Sequence, residues 1–429
     1  MRAPKRRAAP TASMIAHCNR TLLGFAAAYL ALLPTNAATF VHSLTFGVAG
    51  ACAVVVYALT VRHPATRIPL AGAVVLAPLF AWAAWSTASL AWSIDVPYSR
   101  GQLSREVFDS LLAIFIFYMA AYNARALRVL VTSALLSLAA LGIVAMSMDW
   151  QGVFDPALYH NGVGPWSTWL VLVAPLLFLL VAPKPAGFGR HAVPLSVAGI
   201  LLLAIIVLAR MTDNRIVWIA LAAVFAAASI VGALRWRAHL SRAPARFVLP
   251  LLALLLVLSV AFVDSLRERA NLYYRDSTLA QTLENDPRLA LWEHLREKIG
   301  ERPWTGYGFG RRILADSMSR ELDNPLLTHA HNLFASQWLQ TGLVGMLAYV
   351  AILAGLAWRF GQFVRSRDEA LAVAGLAGLA LIVGWVTKNL TDDFLFRSNA
   401  KEFWALSAML LGYGMRRRRK SVTGTGSGP

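Results

Sequence analysis

Residues 370–387 read ALAVAGLAGLALIVGWVT, an uncharged apolar run framed by Asp368-Glu369 on one side and Lys388 on the other. As an α-helix this run would be about 27 Å long, close to the thickness of a bilayer's hydrocarbon core. No strand-like alternation of apolar and polar residues runs through it, so it reads as a membrane-spanning helix and not as a barrel strand. The rest of the chain repeats the pattern. It has 429 residues, 58% hydrophobic and 14% charged, with a mean hydropathy of +0.56. The expected fold is an all-α polytopic integral membrane protein with about 12 transmembrane helices. They lie at residues 20–36, 42–61, 68–92, 106–122, 129–148, 165–182, 192–209, 216–234, 247–263, 332–358, 370–387 and 402–415.

Charge orients this framework. With an even number of spans both termini share one side, and the segments on that side hold 23 of the 40 basic residues, from Arg2 and Lys5 to the run Arg416–Lys420. Only Asp368 and Glu369 oppose them there. The positive-inside rule places this side in the cytoplasm. The same distribution excludes nucleic acid as the partner behind the net charge of +18, because the excess is spread along a membrane edge. The expected organisation is a basic cytoplasmic N-terminus (1–19), helices 1–9 (20–264), one large, partly helical periplasmic loop between helices 9 and 10 (265–331), helices 10–12 (332–415) and a basic, disordered cytoplasmic tail (416–429). Cys18 and Cys52 sit in or near the first two spans, so no disulfide framework braces the loop. The span interiors carry almost no charge, which argues against an ion-coupled transporter.

The polar chemistry gathers on the opposite face. Arg210 closes one apolar run and Arg215 opens the next, with four residues between them. Arginines at helix ends can snorkel to lipid headgroups. Two planar guanidinium groups in one short turn also suit a shared phosphate or diphosphate, and the pairing favours that use. Within the long loop, Asn285-Asp286-Pro287 gives a helix start and Gly300 a stop, with Leu289, Trp292, Leu295 and Ile299 at helical spacing. Trp292, Trp304 and Tyr307 read first as interface anchors, with sugar stacking as the alternative. Gly306-Tyr307-Gly308-Phe309-Gly310 follows no strand and lacks dinucleotide-binding spacing, so it reads as a flexible turn, followed by the basic pair Arg311-Arg312. The loop ends at Thr328-His329-Ala330-His331-Asn332. The histidines admit three readings: helix-capping loop residues, a metal site, or a base with a supporting neighbour. Metal is the weakest, since positions two apart do not share a helix face and a carboxylate would have to arrive from elsewhere.

Several elements resemble the O-antigen ligase and polymerase superfamily of bacterial envelope glycan assembly. They are Asn214-Arg215 at the opening of a span, Arg288 with Leu291-Trp292, Pro303-Trp304-Thr305-Gly306-Tyr307-Gly308, and His331-Asn332 leading into Gln340-Thr341-Gly342-Leu343-Val344-Gly345. The resemblance covers residues 200–358 by motif and the whole chain by topology. It implies an enzyme of the inner (cytoplasmic) membrane with a periplasmic site, an O-antigen ligase taking a glycan from undecaprenyl diphosphate to a sugar hydroxyl of lipid A-core. The implied partners are that lipid-linked donor, the acceptor and membrane lipids. His331 would be the catalytic base, an imidazole suiting proton transfer at neutral pH. Arg210, Arg215, Arg288 and Arg311 would face donor or acceptor, with His329 and Asn332 as supporting substrate contacts. Arginines doing the work of a divalent ion imply metal-independent transfer with no cofactor. Direct attack would invert the anomeric carbon, while Asp392 and Asp393 keep a double displacement open. An O-antigen polymerase, a protein O-oligosaccharyltransferase and, in another class, a lipid-linked glycan transporter are the alternatives.

Overall fold

The computed structural model describes residues 10–35, 39–61, 68–152, 162–181, 195–212, 214–237, 245–273, 287–324 and 327–422. The start of the expected N-terminal lead-in, loop residues 274–286 and the end of the tail lie outside them, as does the side chain of Arg288. In chain order the α-helices are α1 (Pro10–Leu32), α2 (Thr39–Val61), α3 (Ala73–Ala88), α4 (Val96–Gln102), α5 (Asp109–Ala120), α6 (Ala124–Trp150), α7 (Val163–Val173), α8 (Leu177–Val181), α9 (Leu195–Met211), α10 (Ile216–Arg235), α11 (Ala245–Tyr273), α12 (Pro287–Glu301), α13 (Ala315–Glu321), α14 (Leu333–Val364), α15 (Glu369–Lys388) and α16 (Arg397–Val422). No strand occurs among the described residues.

Among the described residues, seven helical stretches are long and apolar enough to cross a membrane: Thr39–Val61, Ala73–Ala91, Ala124–Trp150, Val163–Val181, Ile216–Arg235, Leu333–Val364 and Glu369–Lys388. They coincide with seven of the expected spans. Helices α1, α5, α9, α11 and α16 stand at the other five expected positions and do not meet that measure among the described residues. The all-helical membrane architecture is thus present, while the number of crossings rests on the sequence reading. The bundle closes through α5 against α16, α10 against α15, and α14 against both α3 and α15. Close approach relies on small residues where large rings face them: the Phe360 ring occupies the space a Cβ on Gly378 would need. Buried polar groups are paired across helices, Trp82 donating to Gln337 and Trp385 to the Tyr349 hydroxyl.

The feature that positions the site is a break inside α14. Gly342 has φ +69°, so the helix stops after Thr341 and restarts at Leu343. A broken helix leaves amides and carbonyls without intrahelical partners, and hydrocarbon supplies none. Loop residues 303–310 supply them. Tyr307 and Gly308 donate their backbone N–H groups to the carbonyls of Leu339 (2.8 Å) and Gln340 (3.0 Å), and Leu343 N–H donates to the carbonyl of Pro303 (2.8 Å). Three indoles fasten the seam: Trp338 donates to Pro303, Trp92 to Thr305 and Trp85 to Thr341. The Gln340 side chain accepts from Gly310 N–H at 2.9 Å. The glycine-rich run is therefore a fixed, buried clasp and not a flexible turn. Beneath it Leu291 and Leu295 of α12 pack with Tyr307, Leu314, Met318, Ala330 and Leu339. Tyr307 is buried in that cluster, and the Trp292 indole donates to the Ala330 carbonyl, so neither is merely an interface anchor.

A Cβ at Gly342 would stand 2.0 Å from the Trp304 carbonyl oxygen, on a backbone that L-residues rarely adopt. Gly342→Ala is expected to lower stability by about 3 kcal/mol or more, since backbone strain adds to a collision with main chain. Thermal unfolding of the detergent-solubilised protein, followed by near-UV circular dichroism, checks this. An unchanged midpoint would mean that the clasp does not hold the break.

Candidate active site

The clasp sends Arg311 back toward the start of α14, where His329 and His331 lie. The Asn332 side chain caps α14 by accepting from Phe334 and Ala335 N–H, which explains why the helix begins at that point. The fourth member, Asp392, comes from the segment between α15 and α16. That segment is tied to the histidine loop by Leu333 N–H donating to Asn389 O at 3.0 Å and the Asn332 amide donating to Leu390 O at 2.9 Å.

One carboxylate oxygen gathers the group. Asp392 Oδ1 lies 3.1 Å from Arg311 Nη2, 3.1 Å from His329 Nε2 and 3.5 Å from His331 Nδ1. The His331 separation allows charge attraction but is beyond a well-formed hydrogen bond. The imidazole centroids are 3.8 Å apart, Arg311 also touches His329 Nε2, and its guanidinium lies 4.1 Å over the Phe396 ring. His331 has φ +46°, a left-handed backbone that is uncommon outside glycine and tends to occur at functional sites. Asp393 is buried behind Asp392, its carboxylate accepting from Leu395 N–H.

The electrostatics follow from burial and neighbours. Burial, then the charge of Arg311 and the closeness of His331, push His329 down to about 4 against the hydrogen bond to Asp392. Burial opposes ionisation of Asp392, yet His329, His331 and Arg311 together outweigh it and hold the carboxyl well below the usual range. Burial raises Asp393 instead. At neutral pH the site therefore presents a neutral His329, an ionised Asp392 and the Arg311 cation.

His329, His331 and Asp392 place ligand atoms within 4.8 Å of one another, a set that could hold a cation. The Arg311 guanidinium already lies on both Asp392 and His329 Nε2, so a divalent ion would have to displace a positive charge from its own ligands. The donor set therefore fits a guanidinium better than a resident metal.

Of the residues expected at the site, His331, His329, Arg311 and Asn332 converge. Arg215 sits at the start of α10, and its neighbour Asn214 accepts from Lys388 Nζ at 3.0 Å, next to Asn389. Arg210 pairs with Asp264 of α11 at 3.5 Å, with both side chains about half exposed. Arg288 lies in the first turn of α12. The expectations missed Asp392 as the partner of the histidines. Its signal was the polar cluster Lys388-Asn389-Leu390-Thr391-Asp392-Asp393 following an apolar run, on the same expected face as His331.

A histidine depressed to about 4 binds its proton in the unfolded chain first, so between pH 6.5 and 4 acidification removes stability. The unfolding midpoint should fall across that window. His329→Gln should flatten the fall, as a pH series of thermal melts on both proteins would reveal.

Residues 198–350 match the family described as O-antigen ligase, a segment containing the turn at Arg215, α12, the clasp and both histidines but ending before Asp392. The chain is similar to a general O-oligosaccharyltransferase of Acinetobacter baylyi, 29% identical over 99 residues, which are 22% of this chain and 17% of that protein. It is also similar to an O-antigen ligase of Pseudomonas aeruginosa, 31% identical over 122 residues, 28% of this chain and 27% of the relative. The chain thus covers roughly a quarter or less of either relative's length. Both histidines and the helix break lie inside the matched segment, and over it the chain resembles the O-antigen ligase family.

Proposed function

We propose that the protein is an O-antigen ligase. It transfers a glycan from undecaprenyl diphosphate to a sugar hydroxyl of lipid A-core, at the periplasmic face of the bacterial inner membrane and with both termini in the cytoplasm. The observation that carries this reading is the convergence of His331, Asp392 and Arg311 at the mouth of the broken helix. With Nδ1 turned to Asp392, His331 has Nε2 left to take the acceptor proton, and the carboxylate stabilises the imidazolium that forms. The acceptor oxygen forms a bond to the anomeric carbon as the bond from that carbon to the diphosphate oxygen breaks. The electron pair leaves on the diphosphate, whose charge is met by Arg311 and Arg215, with Arg210 and Arg288 on the flanking elements. His329, kept neutral, and Asn332 contact substrate and hold the loop. Single displacement inverts the anomeric centre, and guanidinium groups perform the charge neutralisation without a metal.

A second reading has one observation in its favour: the similarity to a general O-oligosaccharyltransferase is about as strong as that to a ligase. In that case a protein hydroxyl replaces the core sugar and the same residues keep their parts.

The test is transfer by purified protein between undecaprenyl-diphosphate-linked glycan and lipid A-core. Core-linked product with inverted configuration is expected, undiminished by chelator, and reduced about 10²–10⁴-fold in His331→Ala. Arg311→Lys, which loses the planar fork, should also lose most activity. Longer lipid-linked glycan in place of core-linked product would mean a polymerase. Product only on added protein would favour the second reading, and a retained anomeric centre would sink the single displacement.

A further inference from the structure

Lys388 is the last residue of α15 and is fully buried. A lysine at a helix C-terminus ordinarily runs outward, keeping its ammonium in water while its charge complements the helix dipole. Here the side chain folds inward, although burying an ammonium costs several kcal/mol unless its partners compensate. Nζ donates to the Asn214 side-chain oxygen at 3.0 Å and lies 4.8 Å over the Phe394 ring. Phe394 is itself fixed by its N–H donating to the Asn389 side chain at 2.7 Å.

We infer that Lys388 is a positioning residue: it locks the turn carrying Arg215 to the segment carrying Asp392, and thereby sets the distance from Arg215 to His331. From Arg215 to the start of α14 the path is short. Asn214 is held by Lys388, Lys388 adjoins Asn389, and the Asn389 carbonyl accepts from Leu333 N–H at 3.0 Å, two residues beyond His331. A base and a leaving-group clamp on different helices need such a strut, because a displacement of about 1 Å between them can cost about 10²-fold in rate. The consequence for diphosphate binding rests on the transfer reading above, whereas the strut itself does not.

Two measurements on the full chain in nanodiscs separate these levels. Hydrogen exchange is read at the amides of Val217 and Trp218, which close the turn on Asn214 O and Arg215 O. Affinity is measured for undecaprenyl diphosphate without glycan. Lys388→Met is expected to speed exchange at both amides and weaken binding at least tenfold. The double variant with Arg215→Ala should bind no more weakly than Arg215→Ala alone. Asn214→Asp, which keeps an acceptor for the ammonium, should retain wild-type exchange, and Asn214→Ala gives the same test if Lys388→Met does not fold. Unchanged exchange, or losses that multiply in the double variant, would overturn the inference. Faster exchange in a protein whose wild type binds no undecaprenyl diphosphate would uphold the strut and bring down the transfer reading.

Discussion

The site depends on backbone hydrogen bonds lent to a broken helix by a loop. Where α14 stops at Gly342, the chain forfeits main-chain bonds that a bilayer would not replace, and residues 303–310 restore them from outside. The exchange is mutual, because the same bonds give a glycine-rich segment a single conformation. Each later part is built on that seam. Arg311 follows the clasp directly, α12 packs against its underside, and the nine-residue stub Leu333–Thr341 carries the histidine loop at its start. Glycine is required at Gly306 and Gly342 for one physical reason, main chain passing main chain too closely for any Cβ.

Around this frame the electrostatics are arranged so that one carboxylate serves three basic groups. Asp392 stays ionised although buried, because the two imidazoles and Arg311 lie on it, while burial, reinforced by the charge of Arg311, keeps His329 neutral. Two adjacent histidines are thereby made unlike, one deeply held and uncharged, the other strained in its backbone and turned toward the carboxylate by a single ring nitrogen. Neighbouring aspartates differ as well, Asp393 being shifted upward by burial and by the charge of Asp392. Unequal environments for like groups are what acid–base and charge-stabilising chemistry requires of a site.

Much of this was legible in the sequence, for identifiable reasons. Uninterrupted apolar runs fix helices regardless of partner, and α12 appeared within a residue of its expected bounds because Pro287 and the spacing of Leu295 and Ile299 are local signals. His331-Asn332 marked a helix start that the Asn332 cap explains. The break at Gly342 was hidden, since it falls inside the expected span 332–358 and nothing in one glycine announces its φ. The clasp was visible only as two separate motifs, because its halves lie apart in the chain. Asp392 was noticed but assigned to a different role: it joins His329 from 63 positions away, a pairing that tertiary structure alone reveals.

The break also divides α14 into two parts of unequal length. Leu343–Val364, the portion of α14 beyond Gly342, is about 33 Å long at helical rise, enough to cross the roughly 30 Å of hydrocarbon unaided. The stub before it, about 14 Å at the same rise, is held by its bonds to residues 303–310 and not by continuity with the rest of α14.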